Sequence, residues 1–228
     1  MSRIANNGTC FICQQTFSKT AIFKHVILCL NKKMETAPAD TALKKTDSVF
    51  MLEVSAYKVF WLILEMRGKA TLAQLDNFLR QMWLECCGHL SQFSIGQNRY
   101  ISHPEDEPGM DIQIKKVLHE GTTFEYVYDF GSSTHLTGRV LQVREGAIMK
   151  PLQLLAQNNM PEAKCEDCAT DATLICVWCH SLFCKKDAKK HVCEEGEEGN
   201  FSPLVNSPRA GECGYTGPDS DLKKYRIT

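Results

Sequence analysis

The sequence lacks any apolar run long enough to enter or cross a membrane. Its first ten residues, MSRIANNGTC, do not contain the apolar segment of a secretory signal, and no stretch approaches the roughly 18 apolar residues of a spanning helix. The net charge is only −1, which argues against a chain that is basic throughout for binding nucleic acid or a membrane surface. We therefore expect a cytoplasmic protein with no membrane partner.

Cysteine is the residue type that the sequence has in excess. Twelve cysteines occur among 228 residues, and nine of them lie near the two ends. In a reducing compartment, closely spaced cysteine and histidine residues hold metal more often than they form disulfides. We therefore expect metal sites at both ends of the chain and an apolar core between them.

Composition divides the chain into five parts. Residues 1–34 predict a zinc finger, and residues 35–50 are polar and aperiodic, which predicts a linker. Residues 51–160 are rich in apolar residues and predict the central domain. Residues 161–217 predict a second zinc module with the loop that follows it, and residues 218–228 a tail.

The central part mixes helical and strand periodicity. Residues 56–66 predict one buried strand, and Thr71 and Gln74 are placed for a capping box at the start of a helix that ends before Gly88. The apolar face of that helix comprises Leu72, Leu75, Phe78, Leu79, Met82 and Trp83. Further strands are predicted at 92–95, 99–102, 123–130 and 136–143. Together these elements predict an α+β fold, with a mostly antiparallel sheet and packed helices.

The front segment CFICQQTFSKTAIFKHVILC has the ligand types of a ββα zinc finger. A CxxC knuckle precedes two residues that are four apart and therefore project from one face of a helix. Phe17 and Ile22 are placed for a very small core, so zinc would have to supply the missing stability. The alternative is an amphipathic helix without metal. The predicted ligands are Cys10, Cys13, His25 and Cys29.

Basic residues dominate the front segment. Residues 1–34 contain five basic side chains and no acidic one, which suits contacts to phosphate. A single finger reads only about three base pairs, so docking to a protein is the other interpretation.

The rear segment CEDCATDATLICVWCHSLFCKKDAKKHVC contains four successive pairs of ligands. It resembles a cross-brace finger of the AN-one or B-box type, in which the first and third pairs hold one zinc ion and the second and fourth pairs hold another. The pairs are Cys165 with Cys168, Cys176 with Cys179, Cys184 with Asp187, and His191 with Cys193.

Asp187 occupies a position where the AN-one pattern has histidine. A carboxylate also binds zinc, and the alternatives for completing this site are His180 and Cys213. Three zinc ions per chain are therefore expected. Closed sites rich in thiolate leave no position for a reactive water, so these ions are expected to be structural.

The central region resembles a known family. Its motifs are YKVFWLIL, TLAQLDNFLRQMW, GHLSQFSI, YVYDFGSSTHL and VNSPRAGECGYTG. Over about residues 57–217 the chain resembles the root-inducing-plasmid open-reading-frame-three-like family, a bacterial and archaeal group sometimes labelled as insertion-element passenger proteins. The resemblance implies a compact α+β domain but no established activity. An accessory role in a mobile genetic element is one hypothesis, which rests on that label alone.

Two other hypotheses concern function. The first is a non-enzymatic protein that docks protein or nucleic acid through its terminal zinc modules. The second is a hydrolase or nuclease with a site around His89, Asp129 and His135, which are suitable residue types for acid and base catalysis. Asp129 is also suited to cap a turn, and His89 to accompany a helix end. Cys86 and Cys87 are interpreted either as a reactive or metal-binding pair beside His89 or as small buried hydrophobic residues.

Overall fold

The fold is described from a computed structural model that covers residues 6–36, 47–104, 108–193, 199–218 and 221–227. The strands in these ranges are β1 (Asn7–Cys10), β2 (Thr16–Ser18), β3 (Asp47–Ala56), β4 (Phe60–Arg67), β5 (Ser91–Ile95), β6 (Asn98–Ile101), β7 (Thr123–Tyr128), β8 (Thr134–Gly146), β9 (Leu152–Asn158), β10 (Leu174–Cys176), β11 (Leu182–Phe183) and β12 (Phe201–Pro203). The α-helices are α1 (Lys19–Glu35), α2 (Leu72–Leu79) and α3 (Lys185–Ala188). Short turns of other helix types lie at Arg80–Leu84, Ile114–Lys116 and Leu222–Tyr225.

One large antiparallel sheet dominates the molecule. Its nine strands follow the order β2-β1-β9-β4-β3-β8-β7-β5-β6, and every adjacent pair is antiparallel. A second sheet has the order β11-β10-β12. The predicted antiparallel sheet is confirmed, but among the described residues the helices are few, so the fold is richer in sheet than the expected α+β arrangement with packed helices.

Two boundaries of the sequence-based prediction were wrong. Residues 56–66 do not form one strand, because Ala56 ends β3 and Phe60 begins β4. Tyr57 and Lys58 make the turn with φ values of 50° and 61°, a left-handed conformation that these residue types seldom adopt. The turn contains no glycine, so the sequence did not indicate it. The predicted linker 35–50 is also too long, since its last four residues belong to β3, and residues 37–46 lie outside the described residues.

The main core lies between α2 and one face of the large sheet. Thr71 accepts a hydrogen bond from the Gln74 amide, and the Gln74 side chain accepts one from the Thr71 amide, so the predicted capping box is confirmed. The helix continues past Leu79 as a π-helical turn that carries Met82 and Trp83 into the same core. This turn delivers the chain to the loop that precedes β5.

The segment of residues 6–36, here named the front finger, is joined to the opposite face and to the edge of the same sheet. Strand β1 pairs with β9, and α1 packs Ile22, Val26 and Leu30 against a cluster that includes the buried ring of Trp61. A Cβ atom at Gly8 would lie 2.2 Å from that ring, so only glycine permits the close approach of β1. The finger is therefore part of the sheet's edge.

The second sheet, β11-β10-β12, is named the rear sheet, and the chain after it, the returning segment, comes back to the central domain. Ser207 donates a hydrogen bond from its hydroxyl to the Trp83 carbonyl oxygen (2.6 Å), and the Arg209 side chain is completely buried. The last described segment also packs on the core, where the Tyr225 ring meets Phe78 edge to face. Among the described residues, no helix combines the length and the apolar character that crossing a membrane requires.

Candidate metal centres

All twelve cysteines converge in four groups. Each group contains three cysteines and one further residue, and the potential ligand atoms of each group lie within 4.8 Å of one another. The groups, named here for their position, are the front tetrad (Cys10, Cys13, His25, Cys29), the first rear tetrad (Cys165, Cys168, Cys184, Asp187), the second rear tetrad (Cys176, Cys179, His191, Cys193) and the central tetrad (Cys86, Cys87, His89, Cys213).

Distances within the tetrads fit ligands around one tetrahedral ion. With zinc–sulfur and zinc–nitrogen bonds of about 2.3 and 2.0–2.1 Å, the tetrahedron has edges of about 3.8 Å between sulfurs and about 3.6 Å between sulfur and nitrogen. Cys168 and Cys184 have sulfurs 3.8 Å apart, and the Cys179 sulfur lies 3.5 Å from Nε2 of His191. Disulfide sulfurs would lie only about 2.05 Å apart. The geometry therefore favours coordination.

The front tetrad is assembled by a strand end, a turn and a helix. Cys10 ends β1 and Cys13 lies in the turn to β2, while His25 and Cys29 are one helical turn apart on α1. The Cys13 sulfur lies 3.2 Å from His25 Nε2, and the His25 ring stacks on Phe17 at 3.8 Å. Burial lowers the pKa of His25, which favours the neutral imidazole that a metal ligand needs.

The two rear tetrads are interleaved along the chain in the predicted order. The first joins the pair before β10 to a pair at the start of α3, and the second joins the end of β10 to the segment after α3. Asp187 completes the first rear tetrad, with its Oδ2 atom 3.1 Å from the Cys184 sulfur. His180 instead lies 3.2 Å from a Glu212 carboxylate oxygen, and Cys213 belongs to the central tetrad.

Among the described residues, the rear sheet has little fully buried apolar interior apart from these sulfurs. Its cluster of buried side chains consists of Cys165, Cys176, Phe183, Ala188 and Cys193. Three of the five are potential ligands, so the segment has too little hydrophobic core to fold on apolar contacts alone. Metal coordination would supply the missing interactions.

Sulfur atoms this close together repel one another when they are charged. In the front tetrad, desolvation and then the charge of Cys10 raise the pKa of Cys29 to about 12. In the second rear tetrad, desolvation and the hydrogen bond with Cys176 raise the pKa of Cys193 to about 11. A cation placed among the three sulfurs would reverse this repulsion and favour the deprotonated form of its ligands.

Sequence reasoning recognised the central tetrad only in part, because it gave Cys86 and Cys87 beside His89 as one possible metal-binding pair and did not add Cys213 to them. Its first three residues follow the π-helical turn, and Cys213 comes from the returning segment 126 positions after Cys87. The interpretation of both adjacent cysteines as buried was wrong, because Cys87 is exposed and Cys86 is only half-buried. A further signal in the sequence is arithmetic, since three cysteines remain when the other tetrads are filled, although five histidines remain as well and the count does not choose among them.

The proposed catalytic trio is only partly brought together. His89 Nε2 lies 3.5 Å from Asp129 Oδ2, but Arg209 holds the same carboxylate at 2.6 Å. Desolvation acts to raise the pKa of Asp129, and hydrogen bonds from Arg209 and the Gly131 amide outweigh it and lower the pKa. His135 is exposed next to buried Thr134 on β8, so strand alternation places it on the opposite face of the sheet. The three residues therefore do not line one cleft.

A match to a family model agrees with the central motifs. The sequence model of the family described as plasmid pRiA4b ORF-3-like protein matches residues 51–178. A crystal structure of a protein of unknown function from Methanosarcina mazei Go1 is similar with a TM-score of 0.41 and 13% sequence identity, over 54% of this chain and 75% of that one. No curated protein matches the chain.

Proposed function

The chain belongs to the plasmid pRiA4b ORF-3-like family, and from that premise we propose that it is a non-enzymatic zinc-binding interaction protein. Three structural zinc ions occupy the front tetrad and both rear tetrads, and the front finger docks an acidic segment of a partner protein. The convergence of these tetrads at the two ends of the chain carries the proposal. Their thiolates require a reducing environment, which supports a cytoplasmic location.

The ligand sets support a structural role for zinc. Each tetrad provides four protein ligands, so a bound ion has no open position for a water nucleophile or a substrate. The Asp187 carboxylate is suited to its place, because hydrogen bonds with Cys168 and then Cys184 lower its pKa and keep it charged. The ions would stabilise surfaces and take no part in a reaction.

The exposed face of α1 supports docking to a protein. Lys24, Leu28 and Lys32 are spaced one helical turn apart on that face, and the Leu28 side chain is 68% exposed. Leu28 and Lys32 border an open groove of about 570 Å³ beside the front tetrad. Residues 6–36 contain four lysines and one acidic residue, Glu35, so the charge of this segment favours an acidic partner.

The arrangement favours an acidic peptide over nucleic acid. An apolar side chain between two lysines is complementary to a peptide in which one apolar residue is flanked by carboxylates. A nucleic-acid backbone would pair with the lysines but would leave Leu28 without an apolar contact. Docking would bury the leucine and pair the lysines at its rim. The contact is small, so we expect weak and salt-sensitive binding.

The zinc content of the first rear tetrad can be tested with a matched pair of variants. Full-length native protein, kept reduced, is dialysed against metal-free buffer, and its zinc is counted by mass spectrometry. Asp187→Ala should lose one ion per chain, because it removes one ligand of a closed site, whereas Asp167→Ala changes an exposed acid of the same module and should lose none. Equal counts in the two variants would contradict the assignment of Asp187.

The docking surface is tested with a labelled peptide of glutamate, leucine and phenylalanine and with a duplex oligonucleotide of equal charge. Leu28→Ala should weaken peptide binding by about tenfold, because loss of a buried leucine removes at least about 1.4 kcal/mol. Met149→Ala, at a side chain that is 76% exposed, is the control and should have no effect. If the oligonucleotide binds tightly, its affinity is unchanged by Leu28→Ala and that affinity falls steeply with salt, the partner is a nucleic acid and the protein partner is refuted.

A further inference from the structure

The central tetrad is built from two anchored pieces of chain. Glu85 holds the loop that follows the π-helical turn, accepting hydrogen bonds from the Gly88 amide (2.6 Å) and the Tyr128 hydroxyl (3.2 Å). Arg80 binds the Glu85 carboxylate at 2.8 Å and donates to the His89 carbonyl oxygen. These contacts fix the backbone between Cys86 and His89, so the side chains are positioned before any ligand arrives.

The returning segment is equally well fixed on both sides of Cys213. Arg209, four residues earlier, is buried against Asp129, and Tyr215, two residues later, is 2% exposed. Cys213 itself has a φ of 46°, a left-handed conformation that residues other than glycine rarely adopt, and its side chain is exposed. Because the flanking contacts hold the backbone in this conformation, they also restrict the position of the Cys213 sulfur.

The four ligand atoms are within reach of a single ion. The Cys87 sulfur lies 3.5 Å from the sulfurs of both Cys86 and Cys213, and His89 Nε2 lies 2.8 Å from Cys87 and 3.3 Å from Cys213. The separations of 3.5 and 3.3 Å are about 0.3 Å shorter than the edges of a zinc tetrahedron, and the Cys87–His89 separation is about 0.8 Å shorter, so rotation of the exposed Cys87 and His89 side chains is needed to reach that geometry. Sulfur atoms with no disulfide and a histidine at such distances are typical of a site for a thiophilic cation.

The cysteine inventory supports the same conclusion independently. Three tetrads use nine of the twelve cysteines, and the remaining three meet one another with a histidine, although Cys213 is 126 positions from Cys87. No cysteine is left outside a tetrad. The central tetrad repeats the ligand composition of the front tetrad and the second rear tetrad, which is three cysteines and one histidine.

We propose that Cys86, Cys87, His89 and Cys213 form a fourth zinc site, which clamps the segment after the rear module to the end of the central helix. Neutral imidazole and three thiolates give the site the composition of a structural zinc centre. Arg209 lies 3.7 Å from the Cys86 sulfur and offsets part of the excess negative charge of the three thiolates. The clamp closes a loop that contains both rear tetrads, so it holds the rear module against the central domain.

The fourth site differs from the other three in its exposure. Each of the other tetrads has at least one buried ligand, whereas Cys87 and Cys213 are exposed and the His89 side chain is 31% exposed. A chelator can therefore reach this ion directly from solvent. The fourth ion should be the first to leave, and the rear module should lose its attachment before it loses its own metal.

The first experiment counts zinc in full-length protein that is purified under reducing conditions and dialysed against metal-free buffer. Wild type should contain four ions per chain, and Cys213→Ser and His89→Ala should each contain three. The control is His135→Ala, an exposed histidine of the same domain outside every tetrad, which should contain four. A wild-type count of three, or a Cys213→Ser protein that keeps the wild-type count, would overturn the proposal.

The second experiment uses only wild-type protein, so it does not depend on how a variant folds. Zinc-loaded protein is treated with N-ethylmaleimide while a chelator is titrated, and the modified cysteines are mapped by mass spectrometry. Cys87 and Cys213 should be protected at first despite their exposure and should become modified before the fully buried Cys10 and Cys176. Immediate modification of Cys87 and Cys213 in zinc-loaded protein would contradict the clamp.

Other outcomes separate the two levels of the proposal. A protein mass that is two hydrogens lower, with Cys87 bonded to Cys213 and three zinc ions bound, would show a disulfide in place of the fourth zinc site. The other three sites would remain as proposed. A wild-type count near zero in reduced protein would refute the fourth site and the proposed function together.

Discussion

Replacement of Arg209 by methionine tests how the returning segment is held. The guanidinium group is completely buried and lies 2.6 Å from Asp129 Oδ2, 3.1 Å from the Thr134 hydroxyl and within hydrogen-bonding distance of the Ser132 carbonyl oxygen. Methionine fills similar space but removes every donor. The Asp129 carboxylate, only 7% exposed, would keep its charge and lose its cation.

The expected magnitude follows from that uncompensated charge. Removing one partner of a buried ion pair costs about 3–5 kcal/mol, several times the value of an exposed pair. Asp129→Asn combined with Arg209→Met should cost less than the sum of the two single changes, because the double variant leaves no unpaired charge. Arg139→Met, at an exposed side chain of β8, is the matched control and should change the free energy of unfolding by about 0.5 kcal/mol or less.

Urea unfolding in reducing, zinc-containing buffer provides the measurement. The fluorescence of Trp61 and Trp83, both buried in the central cores, reports loss of the large sheet, and the midpoint with its slope gives the free energy of unfolding. A loss of less than about 1 kcal/mol for Arg209→Met, equal to that of the control, would show that the segment contributes little to the stability of the central domain.

Three further results are expected. Gly8→Val should lower the free energy of unfolding by about 1–3 kcal/mol, because its side chain would overlap the Trp61 ring, and an unchanged urea midpoint would contradict that close approach. Thr71→Ala should lower the free energy of unfolding by about 1 kcal/mol in the same assay because it removes the helix cap, whereas Thr71→Ser should retain most of the cap's stabilisation. A strong chelator should accelerate hydrogen exchange in β10, β11 and β12 while β3 and β4 stay protected; protection that persists in the rear strands would mean that they fold without metal.

Local patterns in the sequence determined several features correctly. The capping box at Thr71 and Gln74 depends only on residues three apart, and it appears as predicted. The potential ligands His25 and Cys29 are one helical turn apart, so their convergence follows from helix geometry once the helix forms. Alternating apolar residues likewise predicted the antiparallel sheet, because the period of a strand is fixed by its backbone.

Features that depend on the path of the whole chain could not be predicted in this way. Tyr57 and Lys58 turn the chain without glycine, since pairing of β3 with β4 compensates the cost of their left-handed backbone. The pairing of β1 with β9 joins positions about 150 residues apart, and a residue's type does not encode its distant partner in a sheet. His135 was assigned to a cleft that the strand's alternation prevents it from reaching.

The amino-acid sequence alone determined which side chains can hold metal, because thiolate, imidazole and carboxylate chemistry belongs to the residue itself. It also determined how the closely spaced potential ligands of the front finger and the rear module group locally. Only the tertiary structure decided that Cys213 meets Cys86, Cys87 and His89, and that Arg209 is buried beside them. The reason is physical. A turn or a helix brings neighbours together through backbone geometry, whereas contacts across more than a hundred residues exist only when the sheet between them has folded.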